Sequence, residues 1–584
     1  MNYSHKSLFL ILAIVLVSTL SVYAQTTQDK SAPNKEEIEA LREKAFKLLD
    51  TVAGQLNTLQ SSENRARMGA NIVGSLWKHD EERARSLLLV VQEDIKTELQ
   101  KHEGDARYDV RFQVFLKLRH DTVERIAKYD GKAALDFLRV TEPVFEKDHE
   151  PPEYRENEQA VELRLAKQVA ANNPDVALKL GLESLKKSLD PDVLKVLNKL
   201  NRKHKEQASV LYKAIVEKLP DADIVDAWNV REFVQTLVQA YEPPDVDASM
   251  YRELVGHLVS KALEQGCAKK PSADEEDERS DFCRWVATAL ANAERYDSRM
   301  GRIKHWKGED FESRRYPFLD DDIQELLAAG AYDQLEALAT KYPDLKAGIY
   351  HQAILNATSD EDRGRIRKLI DRFPEDDPEM RQMLLSLMER LEQKHTITDE
   401  KLAELQSELE LHLTAIKKVQ YLLNVGSQLG TIDRKASLKF LDQANPLIDT
   451  LKPGKEQTQM RLSLAVVYSQ QKSDRGFAMM ESLVPKLNEL VEIAVKLDGY
   501  DTSYLRDGEW NMSANGSVGE ILTVLSQYAG SFAWSDFDRA VTLASQFERP
   551  EIRMMAHLKL AQSILDGPPQ QPSWLTRLSR FNVH

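Results

Sequence analysis

Asp80, Asp130, Asp333, Asp474 and Asp536 each stand four residues before an alanine, at Ala84, Ala134, Ala337, Ala478 and Ala540. Looser copies run from Asn173 to Ala177 and from Asp360 to Gly364. A carboxylate beside small residues can act as an acid or base, and it can equally accept the orphan N–H groups at a helix start. Repetition at distant places separates the two roles, because one catalytic centre needs one such aspartate while a series of helix starts needs many. Apolar stripes precede and follow most copies, so these aspartates are expected to be caps or first-turn acids. The small residue one turn later lets the second helix lie close against the first.

Other chemistry-bearing types give less. No two histidines stand four apart around a glutamate as a zinc hydrolase requires, and no Gly-x-Ser-x-Gly elbow occurs. The segment SANGSVGE lacks the lysine of a phosphate-cradling loop. No catalytic, metal-binding or cofactor-binding residue is assigned, and no cofactor is expected. Cys267 and Cys283, the only two cysteines, flank AKKPSADEEDERSDF. They either close that loop as a disulfide, worth on the order of 3 kcal/mol in chain entropy, or remain two thiols. Two thiolates without a nearby histidine or second cysteine pair do not complete a tetrahedral metal shell.

Two irregular stretches interleave cations with aromatic rings, a combination suited to anionic or sugar ligands. The first, from Arg299 to Phe318, carries Arg302, Lys304, His305, Trp306, Lys307, Arg314, Arg315 and Tyr316. Arg302, Trp306, Arg314 and Arg315 are its candidate partner-binding residues, with an acidic ligand. The rival expectation is that Trp306 plugs the core beneath. The second stretch, with Tyr500, Tyr504, Arg506 and Trp510, invites the same two readings.

Almost everything after Pro33 reads with a period near 3.6. In NKEEIEALREKAFKLLDTVAGQL, Asn34 and Glu37 are set as a cap and its partner, and DPDVLKVLNKLNRKH starts with Asp190 before Pro191 at the first helical position. Glycine and proline cluster between periodic stretches, and convincing alternating strands are absent. The expectation is an all-α chain of roughly two dozen helices joined by short turns. Helix pairs that each carry an Asp-x-x-x-Ala turn bury their apolar faces only by stacking, which is the logic of an irregular α-solenoid of antiparallel pairs.

In LAVVYSQQ, residues Leu464, Ala465 and Tyr468 match the first-helix positions of the tetratricopeptide and related helical-repeat superfamily. The chain resembles that superfamily in type. Ala478 falls one place later than the second-helix alanine of that family, and its terminal proline is missing.

The start, MNYSHKSLFLILAIVLVSTLSVYAQ, has one cation at Lys6, an apolar run from Leu8 to Val17, and Val22 and Ala24 at signal-peptidase spacing. Cleavage is expected between Ala24 and Gln25, giving a secreted or periplasmic protein, with no cysteine after the junction to carry a lipid anchor. No later stretch approaches the roughly 20 apolar residues of a membrane span. Composition breaks suggest helical-repeat regions at 25–272 and 320–497 and helical pairs at 518–566. Between and after them lie an acidic linker with the basic loop at 273–319, an irregular loop at 498–517 and a Pro-rich tail at 567–584 that either docks or extends.

A formal net charge of −15 argues against nucleic acid as a partner. Two function classes remain. One is an exported scaffold binding another protein or an envelope component; the alternative is an exported polysaccharide-acting enzyme on an α/α scaffold. Paired acid and base carboxylates have no local signature on such a scaffold, but an inward pair beside aromatics in one deep cleft would mark the enzyme.

Overall fold

The computed structural model describes residues 35–101, 109–145, 152–221, 237, 248–269, 278–290, 297–306, 323, 326, 330–341, 346–356, 360–371, 381–386, 388, 399–412, 414–430, 433–471, 473–500, 502–514 and 516–567. Nearly all of them are helical. Along the chain run α1 (Lys35–Gln55), α2 (Ser62–Leu76), α3 (Glu81–Leu99), α4 (Val110–Ala127), α5 (Gly131–Val140), α6 (Pro152–Val169) and α7 (Pro174–Lys187). Then come α8 (Val193–Lys203), α9 (Lys205–Lys218), α10 (Ala248–Glu264), α11 (Glu278–Ala289), α12 (Tyr332–Lys341), α13 (Lys346–Asn356), α14 (Asp360–Asp371) and α15 (Asp399–Leu409). The last are α16 (Ala415–Leu429), α17 (Arg434–Asp449), α18 (Lys455–Gln471), α19 (Ser473–Lys496), α20 (Gly516–Ser535), α21 (Phe537–Ala544) and α22 (Pro550–Leu565).

The chain divides into two compact units, one made of residues 69–321 and the other of 1–68 with 322–584. Inside the 69–321 unit helices pack on their successors and, from α3 to α7, also on the helix after that: α4 on α5 and α6, α6 on α7 and α8, while α9 meets α7, α8 and α10. The same rule holds from α15 to α22, where α16 packs on α17 and α18, and α20 on α18, α21 and α22. Contacts that reach only one or two elements along the chain define the all-α, irregular solenoid stacking of helix pairs. In the second unit α1 also packs on α22, tying the start of the described chain to its last helix.

Sequence explains the pairs. In α8, Val193, Val196, Leu197 and Leu200 recur at helical spacing and are all buried, while the lysines between them face outward. Asp190 lies before this helix rather than capping it. Its carboxylate accepts from the Asp192 N–H at 2.8 Å, and the helix begins two residues later than the Asp-Pro pair suggests. α18 buries Leu462, Leu464, Val466, Val467 and Tyr468, residues on several sides, because α17, α19 and α20 all pack against it.

The recurrent aspartates sit at turns. Asp80, Asp130 and Asp536 cap α3, α5 and α21, each accepting a backbone N–H three residues on, at 3.0, 2.9 and 3.1 Å. Asp433 does the same for α17 at 2.9 Å, with a buried serine, Ser437, in place of the alanine. Asp333 and Asp474 are first-turn acids, and Asn173 stands at the α7 cap position without a side-chain bond. One turn later Ala84, Ala134, Ala177 and Ala540 are buried. The helices also approach closely beside Asp130, where a Cβ on Gly131 would stand 2.7 Å from a Val169 methyl.

A two-residue hairpin interrupts the helical pattern between α19 and α20. Leu505 pairs with Trp510 and Arg506 with Glu509. Asp507 and Gly508 form the turn with φ of +53° and +83°, the left-handed conformation of an Asp-Gly hairpin. That Asp-Gly dipeptide is a legible strand signal which helical periodicity on both sides masks.

Candidate docking groove

Trp510 is buried and stacked on Tyr504 at 5.5 Å between ring centres, with Glu63, Glu509 and Glu551 around the hairpin. Glu509 uses both oxygens on the Gln60 and Ser61 N–H groups, at 2.7 and 3.0 Å. Asn64 donates to the Trp510 carbonyl at 2.8 Å and accepts from the Met512 N–H at 3.1 Å. Glu551 accepts from the Trp510 N–H at 3.1 Å, and Glu63 accepts from Ser513 Oγ at 2.6 Å and from Arg67 at 3.1 Å. Arg506 Nε lies 3.6 Å from Glu63 Oε2. These carboxylates satisfy backbone donors and neighbouring cations, so the second aromatic stretch is a clasp that fixes the start of α2 and the start of α22 to the hairpin. Tyr500, by contrast, is 87% exposed.

The first stretch is described only in part. Arg302 is exposed in a short 3-10 turn. Trp306 is buried and donates its indole N–H to the carbonyls of Cys267 and Lys269, at 2.8 and 3.1 Å. Cys267 and Cys283 are joined by a disulfide with Cα atoms 5.5 Å apart, and both are fully buried. Trp306 therefore packs over the crosslink. Arg314 and Arg315 lie outside the described residues, as do Ala24 and Gln25 and the cap residue Asn34.

An apolar depression near the end of the described chain was not singled out by sequence. α20 is twenty residues long with Glu520 its only charged side chain, and its exposed positions, Ser517, Glu520, Thr523 and Gln527, follow one helical stripe, which leaves the wider apolar side to face its neighbours. It meets α18, α19, α21 and α22. Arg539 anchors α21 on α19 through Glu481, at 3.0 and 2.8 Å, with its guanidinium 4.6 Å above the Phe477 ring. Trp534 donates to the Ser563 carbonyl at 3.0 Å and ties α20 to α22. Between these tethers α19, α20, α21 and α22 leave a half-open apolar pocket of about 50 Å³ that opens to solvent. Met480, Val484, Leu522, Phe532 and Leu543 form its buried wall, and the half-buried Leu525, Ser526, Ala529, Met555 and Ala556 form its mouth.

A second depression shares Val484 with this pocket and is lined by Pro485, Asn488, Glu489, Glu492, Gln546 and Glu548. Asn488 builds it by donating to the Gln546 carbonyl at 2.9 Å and accepting from the Glu548 N–H at 3.3 Å. Pro485 stands inside α19 and has no N–H for the carbonyl four residues back. Arg549 pairs with Glu492 at 3.1 Å, while Glu489 and Glu548 are exposed. At the end of α19 Ile493 is 44% exposed, and in the turn beyond it Leu497 and Tyr500 are 48% and 87% exposed. The groove thus joins an apolar pocket to an acidic wall at Val484.

Among the described residues no cluster of His, Cys, Asp or Glu is arranged to hold a metal ion, and no helix is long and apolar enough to cross a membrane. No family model matches the chain, and no curated protein matches it. Among solved structures the chain is similar to a circular tandem repeat protein with novel repeat topology and enhanced subunit contact surfaces. The identity is 12%, over 93% of this chain and 99% of that one, with a TM-score of 0.13. At that TM-score the likeness adds nothing to the helical stacking already described.

Proposed function

We propose that the chain is an exported helical-repeat scaffold that binds a protein partner by receiving a basic amphipathic helix in the groove between α19, α20, α21 and α22. The observation that carries this reading is the half-open apolar pocket of about 50 Å³ that shares Val484 with a wall of the exposed Glu489 and Glu548 and the Arg549-paired Glu492. Helix-in-groove recognition needs apolar anchors seated in such a pocket, and charge beside it selects the partner and speeds encounter. The helix pairs are of tetratricopeptide type in this reading, supported by the close meeting of α18 and α19. There a Cβ on Gly476 would stand 2.7 Å from the Ala465 carbonyl oxygen. Export rests on the N-terminal leader pattern, with the mature chain starting at Gln25.

The test is titration of a labelled helical peptide, leucine on one face and lysine on the other, into the full mature chain. Leu525→Asp and Met555→Asp, both at half-buried mouth positions, are expected to weaken binding by about tenfold or more, about 1.4 kcal/mol, with melting unchanged. Equal binding by wild type and both variants overturns the groove as the site.

A further inference from the structure

Residues 568–584, PPQQPSWLTRLSRFNVH, contain Arg577 and Arg580 and no acidic residue. Trp574, Leu575, Leu578 and Phe581 recur at a spacing that gathers on one side of a 3.6-residue period, with both arginines along one edge of that stripe. This is the chemistry the groove selects: an apolar stripe for the pocket and cations for the acidic wall. We propose that the chain's own C-terminal segment, 574–584, occupies the groove in cis and competes with the partner helix. The proposal rests on the reading of the groove as a site for a basic amphipathic helix, and it adds the regulation of that site.

Reach and direction agree. α22 ends at Leu565, and Gly567 turns the chain with φ of +96°, its N–H donating to the Ile564 carbonyl at 3.3 Å. A glycine in that conformation ends a helix and redirects the backbone beyond it. Met555 at the pocket mouth lies ten residues back along α22, about 15 Å at 1.5 Å per residue. The six residues 568–573, three of them proline, span up to about 19 Å in the extended polyproline conformation. Trp574 is therefore within reach of the mouth formed by Leu525, Met555 and Ala556 without any change in α22.

Charge favours this occupant over a second face of the same acidic molecule. The groove wall carries Glu489 and Glu548, both exposed, and Glu492 paired with Arg549, and the chain as a whole carries −15, so a second copy brings net negative charge to that wall. The segment 574–584 is a basic exception to an acidic chain. Tethering raises its effective concentration to the millimolar range for a short linker, so even a weak intrinsic affinity keeps the groove occupied.

The experiment uses the full mature chain. Both native cysteines are bonded to each other, so thiols introduced by Ser526→Cys at the pocket mouth and Ser573→Cys before Trp574 can be joined by a short bifunctional maleimide. The expected result is an intramolecular cross-link at monomer mass, lost when Trp574→Ser, Leu578→Ser and Phe581→Ser are added. The same triple change, without the introduced thiols, is expected to tighten binding of the leucine-lysine probe peptide by about tenfold. Cross-linking between two molecules assigns the groove to a second copy and overturns the proposal. No cross-link, with probe binding equal in wild type and triple variant, overturns the cis segment and leaves the groove reading standing. No cross-link and no probe binding in either protein overturns both.

Discussion

Arg119 and Glu158 form a two-point ion pair inside the 69–321 unit, with Nη1 to Oε2 at 2.6 Å and Nη2 to Oε1 at 2.8 Å. Their side chains are 0% and 3% exposed. Arg119 also donates through Nε to Thr141 Oγ1 at 3.0 Å and through Nη2 to the Leu138 carbonyl at 2.7 Å. The pair joins α4 to α6, and α5 is drawn in through the Leu138 carbonyl. Because the guanidinium is so fully used, the pair is a structural lock between repeats, and losing one member leaves the other charged and buried. Arg119→Met is expected to cost about 3 to 5 kcal/mol in denaturant unfolding. A cost near zero would mean that the interior there is open to water.

The same pair predicts acid lability. Burial pushes the Glu158 carboxyl up, but the Arg119 guanidinium and the nearby His120 outweigh it and hold the carboxyl at about 2, below its ordinary 4.5. The unfolded chain then binds the proton first as pH falls, so the stability due to this group is complete above about 4.5 and is lost toward pH 2. Melting curves between those values should fall more steeply for wild type than for Glu158→Gln, which is less stable at neutral pH but has no such proton to gain.

Asp130 accepts the Ala133 N–H and also pairs with Arg85 of α3. Asp130→Ala should cost about 1 kcal/mol as a cap loss, and Ala134→Leu about 1 to 3 kcal/mol, because Ala134 is fully buried at a close helix crossing. Probe-peptide binding should be untouched by either. Loss of that binding at unchanged melting would give these aspartates a role beyond folding.

Trp306 and Arg302 separate two roles in one loop. Trp306→Ala leaves the Cys267 and Lys269 carbonyls without the indole donor and opens a cavity beside the crosslink, so it should lower the melting temperature at a cost of about 3 to 5 kcal/mol. Arg302→Ala, at an exposed position, should leave melting unchanged. If Trp306→Ala melts like wild type, the tryptophan is not the plug.

Much of the fold was legible because it is written locally. Helical periodicity, Asp-x-x-x-Ala turns and buried alanines lie within one or two turns of sequence, and a solenoid is built from such neighbours. The Asp507–Gly508 hairpin was legible in its dipeptide but hidden by its helical surroundings. The groove was not legible. Met480, Leu525, Leu543 and Met555 come from four helices, and each reads in sequence as ordinary core. What distinguishes them is a packing gap left between Arg539 and Trp534, which hold neighbouring helices in place, and no periodicity records a gap. The clasp was illegible for a related reason, since Glu63 at the start of α2 and Glu509 in the hairpin are hundreds of residues apart in sequence.

Charge reversal at the groove tests whether the acidic wall selects the partner. The leucine-lysine probe and a leucine-glutamate counterpart are titrated into wild type and into Glu489→Lys with Glu548→Lys, two exposed positions, at low and high salt. Wild type should bind the basic probe and reject the acidic one, the double variant should reverse that order, and both preferences should fade as salt rises, since exposed charges are screened over about 8 Å at physiological ionic strength. Equal binding of both probes to both proteins, at unchanged melting, would contradict the groove as a selective docking site.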